Sequence, residues 1–166
     1  MKAKKYIPII LMFFIILALV LIDVITEKNK IGSGNGNPAL LFIYPLIPLV
    51  LWFNYYLIRF TINMNLSLPR TMVSIFSCLF VIISGFIYKH HEFIERKSAL
   101  SHSMYEKYGE IDENYIDLIT SGLTIYTNSI YISILTFLIF ESFVTIMAIL
   151  ANKLFKYLRQ KEEDKR

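Results

Sequence analysis

Four long apolar segments alternate with polar segments along the chain. They cover about residues 6–25, 38–59, 71–88 and 129–151, and the third is the shortest. A helix needs about 20 predominantly apolar residues to cross the hydrocarbon core of a bilayer. The pattern therefore predicts an all-α integral membrane protein, with four transmembrane helices in a small bundle and a short extracytoplasmic helical loop between the third and fourth.

The composition agrees with a membrane protein. Of the 166 residues, 55% are hydrophobic and 18% are charged, and the mean hydropathy is +0.53. A soluble domain carries about a quarter charged residues. A single cysteine, Cys78, excludes an internal disulfide framework. The abundance of Ile, Phe, Tyr, Lys and Asn is typical of an AT-rich genome, and we interpret the chain as a bacterial protein of the plasma membrane.

The first apolar segment has two interpretations, because lysines precede it as they do in a cleavable signal peptide. A signal peptide has an apolar region of about 7–15 residues and then a small-residue cleavage site. Here the apolar run is longer and ends in IDVITEKNK, without an Ala-x-Ala pattern. We therefore expect a retained signal anchor, followed by a flexible Gly/Asn/Ser-rich connector, 27–38.

The positions of Lys and Arg predict the orientation, since cytoplasmic loops are enriched in them. Most of the 17 basic residues fall on one side if the N-terminus is inside. We expect a multi-pass protein with both termini cytoplasmic, a transmembrane domain over 1–152 and a charged tail over 153–166. The net charge of +4 then reflects membrane orientation, and no nucleic-acid partner is expected. The cytoplasmic basic residues outside the tail are Lys2, Lys4, Lys5, Arg59 and Arg70.

Glu141 is the one acid inside an apolar run, FLIFESFVT. A charged residue at the centre of a membrane helix costs about 2.5–3.5 kcal/mol on insertion scales, so such residues usually face the interior of a bundle. Thr145, Ala148 and Asn152 follow at i+4, i+7 and i+11, which places a small, polar stripe on the same helix face. This face is expected to contact protein.

The other helices offer partners for this stripe. If the third and fourth helices pack antiparallel, Ser77 and Cys78 lie near the depth of Glu141, and Asn54 of the second helix is a further candidate. With no cation at that depth, the carboxyl is expected to be neutral. Two interpretations stay open: a structural, protonated Glu141 bonded to a neighbouring helix or to its own copy in an oligomer, and a functional one in binding or proton transfer.

The loop from residue 89 to about 128 holds two further patterns. His91, Glu95 and His102 share a helix face and form a weak zinc candidate, but HExxH is absent and a solvated extension of the third helix is favoured, so no metal or other cofactor is expected. The segment YGEIDENYIDLITSGLTIY predicts an amphipathic helix. It could lie on the outer leaflet, receive a partner or, as the default, cap the bundle. Its predicted apolar face comprises Ile111, Tyr115, Leu118 and Ile119.

Two prolines, Pro45 and Pro48, lie inside the second apolar segment. Each removes a backbone hydrogen bond, so a kink is expected there. Such kinks can serve gating, and they are also ordinary in membrane helices.

The sequence contains no P-loop, nucleotide-binding fingerprint, Gly-x-Ser-x-Gly or Cys-x-x-Cys. We therefore expect a protein without enzymatic activity, which contacts the lipid bilayer and either another membrane protein or itself as a homo-oligomer. An accessory, regulatory or immunity-type membrane partner is the favoured function. The alternative is a small oligomeric, proton-coupled transporter that uses Glu141. Four helices with a membrane acid resemble the small multidrug-resistance exporters in architecture, although those carry the acid in the first helix of a much shorter chain.

Overall fold

The computed structural model describes residues 6–26, 37–64 and 67–163. Within these ranges the chain is helical and contains no strand. Both the Gly/Asn/Ser-rich connector over 27–36 and the lysines that precede the first helix lie outside the described residues. The elements in chain order are α1 (Ile7–Ile25), α2 (Leu40–Asn63), α3 (Leu68–Tyr108), α4 (Glu113–Thr120), α5 (Asn128–Tyr131) and α6 (Ile134–Glu163).

Four of the helices, α1, α2, α3 and α6, are long and apolar enough to span a membrane by length and composition. This confirms the number of candidate spans that the apolar pattern predicts. Their ends differ from the prediction, because the helices continue into polar sequence. Helix α3 runs twenty residues beyond the predicted end at residue 88, and α6 begins at residue 134 after the separate short α5.

Local sequence explains where α3 begins and ends. Ser67 precedes its first residue, and Pro69 lies in the first turn, where a missing N–H breaks no helical hydrogen bond. Gly109 follows the last residue with a φ of +79°, and its N–H donates to the carbonyl of Tyr105. Glycine adopts this left-handed conformation readily. Helix α2 continues without interruption through Pro45 and Pro48.

The long helices pack in the order α1, α2, α6, α3. Among the described residues, α3 makes at most marginal contact with α1 and α2. The core between the first three of these helices contains Ile15 and Ile22 of α1, Ile43 of α2 and Phe137 of α6. Helix α6 therefore lies between α2 and α3, and it is the helix through which α3 joins the rest of the fold.

Close packing joins α3 to α6 at Gly85. A Cβ atom at this position would lie 2.6 Å from Cδ1 of Ile139, nearer than two carbon atoms approach without a shift. Ser77 and Ser84, two other small residues of α3, are exposed. Gly85 rather than the serines therefore allows the two helices to approach.

We call residues 89–133, between the predicted end of the third span and the start of α6, the headpiece. Its core consists of Leu100 and Met104 of α3, Ile116 of α4 and Tyr126. The sequence predicted a solvated extension of the third helix. The extension is present, but α4 packs against one of its faces. Helix α4 folds back onto this extension and not onto the end of the bundle, and Lys97 pairs with Asp117 between them.

The prediction of which residues form the apolar face of α4 is wrong in part. Ile116, Ile119 and Thr120 face the headpiece core, with Ile119 half-buried. Ile111 and Leu118 are 49% and 68% exposed. An eight-residue helix carries apolar side chains on two of its faces here, and the packing of α4 against Leu100 and Met104 selects the face that is buried.

Candidate functional site

Glu141 of α6 lies against Asn54 of α2. Only 8% of Glu141 and 7% of Asn54 is exposed. Both carboxyl oxygens of Glu141 and the Oδ1 atom of Asn54 are buried without a hydrogen-bond partner. Buried polar atoms in folded proteins are almost always hydrogen-bonded, so three unsatisfied oxygens at one place mark an unusual site.

The chemistry of this pair depends on a proton. An ionised carboxylate only accepts hydrogen bonds, whereas a protonated carboxyl donates one. A proton on Glu141 would supply the donor that Asn54 Oδ1 lacks. No Lys, Arg or His lies within one helical turn of either residue along α2 or α6. Neither α2 nor α6 therefore brings a countercharge within one turn of the pair.

The remaining polar residues of α6 follow the same side of the helix. Asn152 is buried, and its Nδ2 donates to the carbonyl oxygens of Thr61 and Met64, each at 3.1 Å. These carbonyls lie at the C-terminal end of α2, and that of Thr61 also accepts from the Met64 N–H at 3.2 Å. Thr145, between Glu141 and Asn152, is half-buried. The predicted polar stripe of α6 therefore faces α2 at both of its ends.

Cys78 and Ser77 do not join this pair. The Cys78 thiol lies beside the hydroxyl of Ser142, the residue after Glu141. Cys78 therefore lies beside the residue that follows Glu141 in α6. Ser142 and Glu141 point to different neighbours, however, because successive residues of a helix are about 100° apart. Ser77 is exposed.

The histidines of the weak zinc candidate are not brought together. His91 pairs with Glu95 at 3.2 Å, and His102 pairs separately with Glu106 at 3.5 Å. All four side chains are about two-thirds exposed or more. The described residues contain no group of three or more His, Cys, Asp or Glu side chains that could hold a metal ion.

Arg96 connects α3 to the segment around Tyr126 and Ser129, and it was not among the residues predicted from the sequence. This guanidinium is buried and its Nη1 donates to the carbonyl of Tyr126 at 2.9 Å. Its Nη2 lies 3.5 Å from Ser129 Oγ and 3.8 Å from a carboxyl oxygen of Glu92. Burial lowers the pKa of Arg96, and the Glu92 and Asp23 carboxylates oppose that effect. Asp23 lies near the end of α1 and acts on Arg96 through its charge.

Two further contacts fix the same segment. Lys89 donates to Glu92 at 2.7 Å and to the carbonyl of Ser129 at 3.2 Å. Asn128, which is fully buried, exchanges two side-chain hydrogen bonds with Asn37 at 3.0 and 2.7 Å, just before α2. A sequence signal for this packing exists: Lys89, Arg96, Leu100 and Met104 recur at spacings of seven and four, which is one helix face.

Ile111, just before α4, and Tyr115 and Leu118 of α4 are exposed apolar side chains, and we call these three residues the α4 strip. Tyr115 is 38% exposed, and the other two are more so. The strip begins just before α4, where Asp112 Oδ1 accepts a hydrogen bond from the Tyr115 N–H. This is the N-cap arrangement that fixes the start of a helix. The strip is therefore held on a structured support although it makes no contribution to the headpiece core.

No protein-family model, curated protein or solved structure matches this chain. The function is therefore inferred from the chain's own residues.

Proposed function

We propose that the chain is a multi-pass protein of the bacterial plasma membrane that acts without enzymatic activity, as an accessory, regulatory or immunity-type partner of another membrane protein. Both termini are cytoplasmic in this proposal, and the headpiece faces the outside. The charges support this orientation. The described basic residues at the end of the fold opposite the headpiece are Arg59, Arg70, Lys153, Lys156, Arg159 and Lys161.

The observation that carries the proposal is the α4 strip. Exposed apolar side chains that are grouped on one short segment outside the candidate spans support an interaction site at that segment. Here it is displayed by an ordered unit: Ile116 is fully buried beneath it, and Arg96 joins α3 to the chain that follows α4. A preformed surface of this kind binds a partner without an additional ordering cost.

The height of the strip favours a protein partner over lipid. The Lys97–Asp117 ion pair places α4 beside Lys97, nine residues beyond the predicted end of the third span. At 1.5 Å per residue this is about 13 Å along the helix axis. The headgroup region adds only about 5–7 Å to each side of the hydrocarbon core. With α3 near the membrane normal, the strip lies above the lipid headgroups.

The test compares matched substitutions of exposed isoleucine and leucine residues. Leu118→Ser combined with Ile111→Ser removes the strip, whereas Ile94→Ser changes an equally exposed residue of α3 outside it. The complex purified in mild detergent from the native membrane should lose its second component in the strip variant and retain it in the control. Equal composition of both complexes would contradict the proposal.

A second candidate function, a small oligomeric proton-coupled transporter, is favoured by one observation, the buried Glu141–Asn54 pair with its unsatisfied oxygens. A membrane acid that gains and loses a proton is the usual centre of such a transporter. In this case Glu141→Gln abolishes proton-coupled flux in proteoliposomes, while the variant inserts and assembles normally. Unchanged activity of that variant would exclude this candidate.

A further inference from the structure

A groove of about 510 Å³ lies between α3 and α6, next to the headpiece. Its volume falls in the range of about 300–1,000 Å³ that is typical of small-molecule sites. Along the candidate spans its walls are aromatic and aliphatic, and they include Phe86 of α3 with Phe140 and Phe143 of α6. This part of the groove suits a hydrocarbon chain, because it offers apolar contact and little hydrogen bonding.

The other end of the groove, which we call the polar end, combines polar and apolar side chains. Phe93 and Ile130 line it together with Lys89, His90 and Tyr131, and each of the last three can donate a hydrogen bond. Lys89 donates to Glu92 and Ser129, and an ammonium group has a third donor. His90 is exposed, and its ring carries at least one N–H in either charge state. No acidic side chain lines the groove in the described part of the chain.

The polar end lies where a headgroup would lie. Lys89 and His90 directly follow residue 88, the predicted end of the third span, so they are at the level at which hydrocarbon gives way to phosphate. The remaining N–H of Lys89, whose ammonium also pairs with Glu92 outside the lining, and the donors of His90 and Tyr131 complement phosphate oxygens, which only accept hydrogen bonds. The apolar part continues from there to the depth of Phe143, along the same two helices.

We propose that this groove binds a glycerophospholipid of the outer leaflet, with its phosphate at Lys89, His90 and Tyr131 and an acyl chain against Phe86, Phe140 and Phe143. The inference rests on the membrane topology of the proposed function, and it adds a lipid site that is separate from both the α4 strip and Glu141. The lipid would bridge α3 and α6 on the side where Gly85 keeps these helices close.

Native mass spectrometry of the full-length protein in detergent micelles tests this site. Phosphatidylglycerol is titrated against diacylglycerol with the same chains and against glycerol phosphate without chains. Phosphatidylglycerol should bind best of the three. His90→Ala should weaken its binding about fivefold, the equivalent of one hydrogen bond of about 1 kcal/mol. His91→Ala, whose ring pairs with Glu95 outside the groove, should leave binding unchanged.

A second pair of variants tests the apolar part. Phe143→Ala should weaken phosphatidylglycerol binding, and Phe80→Ala, on an exposed α3 residue outside the groove, should not. If diacylglycerol bound as tightly as phosphatidylglycerol, the phosphate would have no part in binding. If glycerol phosphate bound as tightly, the acyl chain would have none. Equal phosphatidylglycerol affinities of the His90→Ala and His91→Ala variants would overturn the site. Resistance of the protein to carbonate extraction from membranes is measured separately, since its failure would contradict the topology and not the groove.

Discussion

Glu141 of α6 and Asn54 of α2 lie side by side, and three of their side-chain oxygen atoms are buried without a hydrogen bond in the structure. Neither residue has a basic side chain within one turn of its helix. The proton that would complete the pair makes the carboxyl a donor and leaves the carboxamide as its partner. The pair then connects α2 to α6, the same two helices that Asn152 connects nearer the tail.

Substitutions at Glu141 and Asn54 test whether the Glu141 carboxyl is protonated in this pair. Glu141→Gln retains a donor and an acceptor, so we expect little change in the thermal stability of the protein in detergent. Asn54→Leu removes the partner and should lower the free energy of unfolding by about 1–3 kcal/mol, the cost of an unpaired buried group. Thermal unfolding followed by circular dichroism measures both. A Glu141→Gln protein as unstable as Asn54→Leu would show that the pair holds no proton.

Gly85 should be the least replaceable position at the contact between α3 and α6. Gly85→Val places atoms where Ile139 already lies, and overpacking of this kind costs about 1–3 kcal/mol. Ser84→Val, at the exposed neighbouring position, serves as the control and should be nearly neutral. Ile139→Ala should restore part of the stability lost in Gly85→Val. An additive double variant would show that the two side chains do not meet.

Arg96→Met should loosen the headpiece. The variant removes the donor to the Tyr126 carbonyl, which is then left buried without it, and about 1–3 kcal/mol of local stability should be lost. Hydrogen exchange of the amides over 124–131 should accelerate. Lys97→Met breaks an exposed ion pair and should have a smaller effect, within about 1 kcal/mol. If the amides over 124–131 exchanged at the same rate in the Arg96→Met and Lys97→Met variants, Arg96 would not be the residue that stabilises this segment.

The single cysteine makes the orientation testable by labelling. In a Cys78→Ser background, Asn114→Cys on α4 should react with a membrane-impermeant maleimide in intact cells. Gln160→Cys near the end of α6 should react only after the membrane is opened. Both positions are exposed, so access to the reagent and not burial decides the result. Labelling of Gln160→Cys but not of Asn114→Cys in intact cells would contradict the proposed topology.

The sequence predicted the four long helices because each contains an apolar run of spanning length, and that signal needs no tertiary information. It also named Asn54 as a possible partner of Glu141, since a buried acid needs a polar neighbour. The headpiece was less predictable. The spacing of Arg96 from Leu100 and Met104 places it on their helix face, but its partners Tyr126 and Ser129 are about thirty residues along the chain, and no local pattern encodes those contacts.

Helix α4 shows a second limit of the same kind. Its eight residues carry Ile116 and Ile119 as well as Tyr115 and Leu118, so either face satisfies an amphipathic pattern. Packing against Leu100 selects the first pair and leaves the second outside. The interaction surface that we propose is therefore visible only after the fold is known.

Site-specific photo-crosslinking in intact cells tests the central proposal most directly. A photoreactive residue replaces Leu118 in the α4 strip or, as the matched control, Ile94 on α3. The proposal predicts one crosslinked product of defined mass at position 118, which contains a second membrane protein and is absent at position 94. No protein adduct at 118, or the same adduct at both positions, would contradict a partner-binding role for the strip.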